Sequence, residues 1–371
     1  MTTITKNSLD VGESIAWQTM PTAIQRIWSI NEWGRLREII VGDPRNAYLP
    51  SLSDISQRSF DRPEASQLQH AIPGPMPDWV IDETLEDIEG LAHVLGSFGV
   101  QVHRARTIDS RHRVCTPYWT VDQEHALNVR DMTLIYGNLV IDAPSPTRGR
   151  YWESFSVRDL FSDYRRRNRN TWFTAPPRPR LLDDTYDLSR HRGINNMEPL
   201  FDAANCIRLG KDVLIDINNT ANQLGAEWIQ QAFDQHYGQD VVQVHQVSLS
   251  PDHLDVIIVP LCDKVAVINP KYVSRDQIPA CLADWQLIEA PEMVPQAFHS
   301  GTSKASNWIG LNLLVIDGDD KTVIVEERQL PLIKLLERHG FRPIPVRWRH
   351  GRTWGGGFHC VTLDVHRDGE L

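Results

Sequence analysis

The most regular feature of the chain is a pair of short apolar runs separated by a tight polar or glycine-containing turn. Apolar runs of about 4–8 residues predict β-strands, and a tight turn between two of them predicts a hairpin. Four such pairs occur, at 132–136 with 139–141, 207–209 with 213–217, 256–260 with 265–268, and 313–316 with 322–325. A single run at 36–42, which ends in glycine, begins a fifth and incomplete copy.

Helical patterns accompany the hairpins, and each of them leads into another apolar run. Apolar residues recur at helical spacing in 82–98, 220–238 and 331–340, and short β-runs follow at 100–102, 241–244 and 343–346. The repeating unit is therefore predicted to be a hairpin, a helix and a strand, in about five copies. One unit alone buries too little apolar surface, so the copies must pack against one another.

These repeats predict an α/β fold and a simple domain organisation. Residues 1–25 are polar and aperiodic and are expected to form a flexible tail, and residues 26–371 are expected to form a single domain. The pattern alone leaves two arrangements open. The copies either close into a ring, or they belong to one large α/β sheet whose spacing is repetitive by chance.

Composition and charge exclude several classes of protein. The chain has 371 residues, of which 41% are hydrophobic and 23% are charged, as in ordinary globular proteins. The excess of 48 acidic residues over 38 Lys and Arg residues gives a formal net charge of -10, which argues against a nucleic-acid binder. No apolar stretch is long enough to span a membrane, and the first 18 residues do not have the pattern of a signal peptide.

The cysteines indicate a reducing environment and one candidate nucleophile. The five cysteines are widely spaced and contain no CxxC pair, which argues against a disulfide framework or a zinc ribbon, so we expect a soluble cytoplasmic protein. Cys360 follows three consecutive glycines, which let the backbone approach a ligand closely. A cysteine in that setting is a candidate thiolate nucleophile, and the alternative is a small buried hydrophobic residue. We do not expect His359 to join it in a metal site, because adjacent strand residues point to opposite faces.

Candidate acid–base and recognition groups precede three of the predicted hairpins. Alternation along an extended segment places His253 and Asp255 on the same side, just before the run 256–260. Asp131 and Asp202 lie at the entrances of two other hairpins, and the three carboxylates converge if the copies pack around an axis. Carboxylates bind a guanidinium bidentately and a thiolate can attack its central carbon, so a cationic, planar substrate is favoured. For His253 and Asp255 the alternative is a surface strand end with two unrelated polar residues.

Together these residues resemble the arginine-dependent amidinotransferases, a family within the guanidine-modifying pentein superfamily. The resemblance begins at Asn31 and extends to the end of the chain. It is carried by the motifs Asn31-Glu-Trp33, Ile40-Val-Gly42, Arg130-Asp131, Glu198-Pro199, Phe201-Asp-Ala-Ala204, His253-Leu-Asp255, Asn269-Pro270 and Gly355-Gly-Gly-Phe-His-Cys360. The resemblance implies a five-bladed α/β propeller of repeated ββαβ modules around a pseudo-fivefold axis.

The resemblance also implies a role for each residue of the candidate site. By motif, Cys360 is the nucleophile that attacks the guanidino carbon of arginine, releases ornithine and retains an amidino-cysteine. His253 is the shared acid and base, and Asp202 orients it. Asp131 and Asp255 hold the guanidinium. The implied reaction is a two-step, ping-pong exchange with neither a metal nor an organic cofactor.

Two positions depart from the family pattern and bear on the substrate. Tyr272 stands where relatives carry an arginine that grips an α-carboxylate, and Arg275 lies three residues further on. Ser306 is the single serine retained where glycine amidinotransferase has a pair. With Arg130 and Asn205, we count Tyr272 and Ser306 among the expected substrate-binding residues. The departures favour an acceptor other than glycine.

The resemblance implies L-arginine as the amidino donor and a primary amine as the acceptor, with no nucleic-acid or membrane partner. In style the sequence is more similar to the amidinotransferases of streptomycin and cyanobacterial saxitoxin biosynthesis than to the glycine enzyme. The saxitoxin-type acceptor is a primary amine on an arginine-derived ketone. The alternatives are a glycine- or aminocyclitol-type amidinotransferase, a guanidine hydrolase that resembles arginine deiminase and uses water as the acceptor, and a non-catalytic binding protein on the same scaffold. Relatives often dimerise, so the resemblance suggests a homodimer.

Overall fold

Most of the described strands belong to five sheets of three strands each. The computed structural model describes residues 26–51, 53–58, 73–109, 113–189, 193–251, 253–274, 277–297 and 304–371. The tail expected at 1–25, and Arg275, lie outside these residues. In all five sheets the middle strand pairs antiparallel with one neighbour and parallel with the other.

The sheets are numbered by the position of their middle strand in the chain. Sheet 1 contains Thr362–Arg367, Leu36–Val41 and Gln101–Arg104; sheet 2, Thr133–Tyr136, Leu139–Asp142 and Trp172–Thr174; sheet 3, Cys206–Leu209, Asp212–Asp216 and Gln243–Val247; sheet 4, Ile258–Cys262, Val265–Ile268 and Gln286–Glu289; sheet 5, Leu314–Asp317, Thr322–Glu326 and Arg342–Val346. The four predicted hairpins are confirmed as the first two strands of sheets 2 to 5.

Sheet 1 is assembled from distant parts of the chain. Its middle strand, Leu36–Val41, pairs antiparallel with Thr362–Arg367 and parallel with Gln101–Arg104. The copy that looked incomplete in the sequence is therefore completed by a strand from the opposite end of the described chain. No local pattern indicates this pairing, because no turn connects the two strands.

Helices connect the second and third strands of four sheets. They are Asp78–Ser97 in sheet 1, Phe155–Arg167 in sheet 2, Gln223–Tyr237 in sheet 3 and Leu330–Arg338 in sheet 5. The helices predicted at 82–98, 220–238 and 331–340 are confirmed, with boundaries shifted by a few residues. Sheet 4 departs from the predicted unit: the described residues of its connection contain the 3-10 turn Ala280–Leu282 and no α-helix.

Local chemistry sets the ends of the helix in sheet 3. The Asn222 side chain accepts a hydrogen bond from the backbone N–H of Gly225, at 2.9 Å, and so satisfies one of the free donors of the first turn. Gly238 follows the last turn with φ of +103°, a conformation that other residues rarely adopt. The apolar face between these ends, with Ile229 and Phe233, is fully buried.

The remaining regular elements are short and lie in the connections. They are the helices Ile55–Arg58 and Gly351–Trp354, the strand pairs Tyr48–Leu49 with Gly74–Pro75 and Arg113–Cys115 with Thr120–Asp122, and the 3-10 turns Arg148–Arg150 and Asp183–Thr185. None of the described helices is long and apolar enough to cross a membrane.

A 3-10 turn, here called the entry turn, precedes the first strand of sheets 2 to 5. The entry turns are Val129–Met132, Ala203–Asn205, Leu254–Val256 and Asn307–Leu311. The entry turns of sheets 2, 3 and 4 each contact that of the next sheet, sheet 1 contacts sheet 2 through their first strands, and sheet 5 contacts sheet 1. Neighbouring sheets therefore touch in cyclic order.

Buried apolar clusters fill the spaces between neighbouring sheets. Representative pairs are Ile40 with Ile135 between sheets 1 and 2, Ile141 with Ile215 between 2 and 3, Leu214 with Ile258 between 3 and 4, Val267 with Val323 between 4 and 5, and Ile324 with Ile39 between 5 and 1. Removal of this apolar surface from water stabilises the packing of each sheet on its neighbours. The loops and entry turns that carry polar groups are held by this packing.

Candidate active site

Cys360 lies in the turn that leads into Thr362–Arg367 of sheet 1, and only 1% of its surface is exposed. The backbone N–H groups of Gly357 and Cys360 both donate hydrogen bonds to Oδ1 of Asn312, at 3.1 and 2.9 Å. Asn312 directly follows the entry turn of sheet 5. One side-chain amide thus fixes the backbone that leads up to the thiol.

The glycines before Cys360 are required by the backbone and by close packing. The φ angle of Gly355 is +68°, in the left-handed region that favours glycine. A Cβ atom on Gly356 would lie 2.4 Å from Oδ1 of Asn128, which is too close for any side chain. The close approach expected from the glycine run is therefore made to neighbouring protein groups.

The carboxylates before three hairpins and the histidine are brought together, as the sequence predicts. Asp131 lies in the entry turn of sheet 2, Asp202 directly precedes that of sheet 3, and Asp255 lies in that of sheet 4. His253 Nε2 is 3.1 Å from Oδ2 of Asp202, and its Nδ1 is 3.7 Å from Oδ1 of Asp131. Cys360 Sγ is 3.3 Å from Oδ2 of Asp255.

The backbone that carries His253 and Asp255 differs from the expected extended segment. His253 caps the 3-10 turn Leu254–Val256, and Asp255 is inside this turn. Both side chains nevertheless face one pocket, which opens onto Cys360. The pocket is lined by His253, Asp255, Val256, Lys304, Ala305, Ser306, Ile309, Gly355 and Cys360.

Arg150 holds two of the carboxylates close together. Its Nη1 is 2.8 Å from Oδ2 of Asp131 and 3.8 Å from Oδ2 of Asp202, and its Nε donates to Oε2 of Glu153 at 2.9 Å. Burial opposes its charge, but Glu153 and Asp131 raise the pKa of Arg150 well above its usual value. A permanent buried cation therefore offsets the repulsion between the two aspartates.

Burial and neighbouring charge set the protonation of the acid–base groups. Burial alone lowers the pKa of His253, but the carboxylates of Asp131 and Asp202 raise it to about 9. Burial, together with the charges of Asp255 and Asp131, raises the pKa of the Cys360 thiol well above its usual value. At neutral pH the unliganded site accordingly contains a thiol beside an imidazolium.

Three buried carboxylate oxygens in this cluster have no hydrogen-bond donor among the described residues. They are the Oδ1 atoms of Asp131, Asp202 and Asp255. A buried acceptor without a donor costs about 1–3 kcal/mol. A planar cation with several N–H donors satisfies such oxygens well.

Arg130 occupies a different position from the other expected binding residues. Its guanidinium pairs with Asp364, and its Nε donates to the carbonyl oxygens of His359 and Thr362, at 3.2 and 2.9 Å. It does not belong to the residues that line the described pocket. Arg130 therefore contacts the backbone on either side of Cys360 and supports its turn.

Of the three remaining predicted binding residues, one lines the pocket and two do not. Ser306 lines the pocket and caps the entry turn of sheet 5. The Asn205 amide is buried and hydrogen-bonded to Thr220 and Asn218, at 2.5 and 2.9 Å. Tyr272 is half-buried and packs in the apolar cluster between sheets 3 and 4, outside the pocket lining.

His359 contradicts the expectation that it points away from the site. Its Nδ1 is 2.7 Å from Oδ2 of Asp255, the same oxygen that Cys360 Sγ contacts. The alternation of strand faces does not apply here, because residues 359 and 360 lie in the turn before the strand begins. Among the residues that the structure describes, no group of three or more His, Cys, Asp or Glu side chains is arranged to hold a metal ion.

Several groups around the site carry no signal in the sequence. Lys304 lines the pocket, and its Nζ lies 2.6 Å from Oε2 of the buried Glu124. Arg150, Glu153 and Asn312 are single polar residues within ordinary loops, and only the folded chain brings them beside the aspartates and the thiol.

Comparisons with known proteins identify relatives that are similar over nearly the whole chain. No protein-family model matches the chain. Inosamine-phosphate amidinotransferase 1 from Streptomyces glaucescens is 38% identical over 346 residues, which cover 92% of this chain and 97% of the relative.

Two solved structures are similar over nearly the whole chain. The inosamine-phosphate amidinotransferase from Streptomyces griseus superposes with a TM-score of 0.86 and 36% identity, over 93% of this chain and 98% of that one. An amidinotransferase of the saxitoxin biosynthetic pathway from Microseira wollei superposes with a TM-score of 0.83 and 33% identity, with the same coverage of 93% and 98%.

The fold and these similarities therefore define an enzyme of mixed α/β architecture. The chain belongs to the amidinotransferase family, and it is a transferase of amidino groups.

Proposed function

We propose that the chain transfers the amidino group of L-arginine to a primary amine through an amidino group held on Cys360. The observation that carries this proposal is the set of three open carboxylate oxygens on Asp131, Asp202 and Asp255, close to a thiol and an imidazolium. A guanidinium supplies the missing N–H donors. Its central carbon is the electrophile that a thiolate attacks.

In the first half-reaction, Cys360 Sγ forms a bond to the guanidino carbon while Asp131 and Asp255 hold the planar cation. The bond from this carbon to the side-chain nitrogen of arginine then breaks. The His253 imidazolium gives its proton to that nitrogen, so ornithine leaves as a neutral amine. The amidino group remains on sulfur, and His253 is left neutral.

Binding of the donor favours ionisation of the Cys360 thiol, which is protonated in the unliganded site. The carboxylates of Asp255 and Asp131, together with burial, favour the protonated thiol. A bound guanidinium neutralises these carboxylates and adds a positive charge beside the sulfur. The thiol therefore releases its proton to solvent and the thiolate becomes favoured once the donor is present, which limits unproductive reactions of the free thiol.

In the second half-reaction, an acceptor amine enters after ornithine has left. Neutral His253 removes a proton from this amine as its nitrogen bonds to the amidino carbon, and the carbon–sulfur bond breaks to restore the Cys360 thiolate. Asp202, 3.1 Å from His253, orients the ring and stabilises its imidazolium form. No further reactant is needed for this exchange.

For the acceptor we propose a primary amine of the saxitoxin type, carried by an arginine-derived ketone. Similarity to the Microseira wollei enzyme supports this acceptor. Similarity to the Streptomyces enzymes supports an aminocyclitol as the second candidate. Glycine is the least favoured amine, because Tyr272 stands in place of the arginine expected to bind a carboxylate. In addition, Ser306 is the single serine where glycine amidinotransferase has a pair.

We further propose that residues 26–371 form one domain in which the five sheets are the blades of an α/β propeller. The shared strand pattern and the cyclic contacts between neighbouring sheets support this arrangement. A ring explains why the entry turns of successive sheets, which carry the site residues, lie next to each other.

The decisive test is an arginine-dependent assay across a panel of amines. The panel contains glycine, lysine, an inosamine phosphate and an amino ketone derived from arginine, and both ornithine and the mass of each guanidino product are measured. We expect stoichiometric ornithine and guanidino product with at least one amine. Citrulline and ammonia with every amine would instead identify a guanidine hydrolase.

Replacement of Asp202 by asparagine is expected to shift the pH dependence of ornithine release. With saturating arginine, the single-turnover rate falls as pH rises through the pKa of His253, which is about 9 in the unliganded protein. Asp202→Asn removes a charge that raises this pKa, so the fall moves to lower pH by about 1 unit or more. The rate at neutral pH falls as well, by about 10²-fold or more.

Asp212→Asn provides the matched control for this measurement. Asp212 Oδ1 lies 2.6 Å from His245 Nε2 on the surface, so the control removes a carboxylate from a His–Asp pair outside the site. Its profile is expected to follow that of the wild type. An unshifted profile in Asp202→Asn would mean that His253 is not the proton donor.

A further inference from the structure

The imidazole of His359 bridges two buried carboxylates, one of which belongs to the proposed site. Its Nδ1 is 2.7 Å from Oδ2 of Asp255, and its Nε2 is 3.3 Å from Oε2 of Glu32. His359 is itself buried, with 7% of its surface exposed. The mechanism proposed above does not use this residue.

We propose that His359 is a positioning residue that holds Asp255, as an ionised and oriented carboxylate, against Cys360 and the donor guanidinium. This inference rests on the proposed function, because it assigns Asp255 to donor binding. It concerns the carboxylate beside the nucleophile, whereas the His253–Asp202 pair serves proton transfer.

The hydrogen-bond geometry requires a doubly protonated ring. Ionised carboxylates only accept hydrogen bonds, and both ring nitrogens of His359 face carboxylate oxygens, so both must carry a proton. Glu32 is held as an anion by Arg208, whose Nε and Nη2 donate to its two oxygens at 2.8 and 2.7 Å. The ring is therefore held between two carboxylates, with each of its nitrogens placed to donate.

Other charged groups face the same pair from neighbouring elements. Arg130 approaches from the entry turn of sheet 2, where its Nε donates to the His359 carbonyl and its Nη1 lies 3.8 Å from Oε2 of Glu32. The charge of His253 also acts on Asp255, and the charge of Asp131 acts on the thiol. Burial would raise the pKa of Asp255, but the hydrogen bond and charge of His359 lower it below its usual value.

The two carboxylate oxygens of Asp255 have different partners, and this difference explains how His359 acts on the reaction. Oδ2 is shared between the His359 ring and Cys360 Sγ, and Oδ1 is left without a donor. The His359 bond therefore fixes the plane of the carboxylate and leaves one oxygen free for a guanidinium N–H. Without it, the carboxylate turns more freely and takes up a proton at higher pH.

Two amide substitutions separate the two sides of the bridge. An asparagine amide nitrogen can occupy the place of Nδ1 and still donate to Asp255, whereas that of glutamine can occupy the place of Nε2 and donate to Glu32. Both variants remove the positive charge. We expect His359→Gln to lower kcat/KM for arginine on the order of 10–100-fold, the scale seen when outer partners of site ligands are lost. His359→Asn is expected to retain more activity.

The effect of His359→Gln should fall mainly on the donor. We expect the KM for arginine to rise more than kcat falls, and the KM for the acceptor amine to stay within about two-fold of the wild type, because Asp255 holds the guanidinium. In both variants the acid side of the arginine kcat/KM profile should move to higher pH, since Asp255 loses the cation that keeps it ionised.

Three results would overturn the inference: a larger loss of activity in His359→Asn than in His359→Gln, equal effects on both substrates, or an unchanged acid side of the kcat/KM profile.

If the wild type itself releases no ornithine, the proposed function fails, and thermal unfolding then tests the inference. Because folding lowers the pKa of Asp255, its ionised form stabilises the fold at pH values above the pKa of the unfolded state. This contribution is lost as pH falls through the pKa of the folded state. The stability gap between wild type and His359→Asn should therefore be wider at pH 7 than at pH 3, and a constant gap would refute the charge bridge.

Discussion

Replacement of Cys360 by serine is expected to lower ornithine release from arginine on the order of 10⁴-fold or more, which is the scale of losing a catalytic nucleophile. A serine hydroxyl in this buried, acidic pocket is a much weaker nucleophile than a thiolate. Intact-mass measurement without an acceptor adds a direct check. The wild type should gain the mass of one amidino group after incubation with arginine, and the variant should gain nothing.

Cys262→Ser is the matched control for this experiment. Cys262 is a half-buried, free thiol at the end of a strand in sheet 4, and it does not line the pocket. Its variant should keep both the adduct and the turnover. An adduct that persists in Cys360→Ser, or that maps to another cysteine, would assign the nucleophile elsewhere.

The second large effect concerns stability and arises from the buried Arg208. Its guanidinium donates to both oxygens of Glu32, to Oδ2 of Asp364 at 2.7 Å, and to the carbonyl oxygen of Ile135 at 3.0 Å. Asp364 belongs to sheet 1, Ile135 to sheet 2 and Arg208 to sheet 3. Arg208→Met removes a buried cation that binds both carboxylates, and we expect a loss of about 3–5 kcal/mol in the free energy of unfolding.

Chemical denaturation of Arg208→Met and of an exposed control measures this effect. Arg37 pairs with Asp368 at the surface, where 35% and 47% of their side chains are exposed, so Arg37→Met should cost no more than about 1 kcal/mol. Equal losses in the two variants would mean that the buried cluster contributes no more than a surface ion pair.

The sequence predicts much of the fold because its units are local. Each of the four hairpins joins two apolar runs across a few residues, and three helices show their apolar face in their spacing. The pairing of Leu36–Val41 with Thr362–Arg367 has no such signal, because sequence patterns indicate strands but not distant partners. In sheet 4 the described part of the connection contains a 3-10 turn and no α-helix, so one copy can replace an element without disturbing its strands.

The candidate site is predictable where its residues share a position in the repeat. Asp131, Asp202 and Asp255 each lie at a hairpin entrance, so packing of the copies brings them together. Arg150 is unpredictable because it comes from a connection between strands. The prediction that His359 and Cys360 point to opposite faces is wrong because both residues lie in a turn, where strand alternation does not apply.

The pairing of Leu36–Val41 with Thr362–Arg367 also sets the order in which the proposed site is assembled. Sheets 2 to 5 take their hairpins from adjacent residues and can form early during synthesis, whereas sheet 1 requires two strands separated by most of the described chain. Cys360 directly precedes the strand that arrives last. A nascent chain can therefore bring the three aspartates and His253 together before Cys360 is placed beside them. The proposed site is incomplete until sheet 1 has formed.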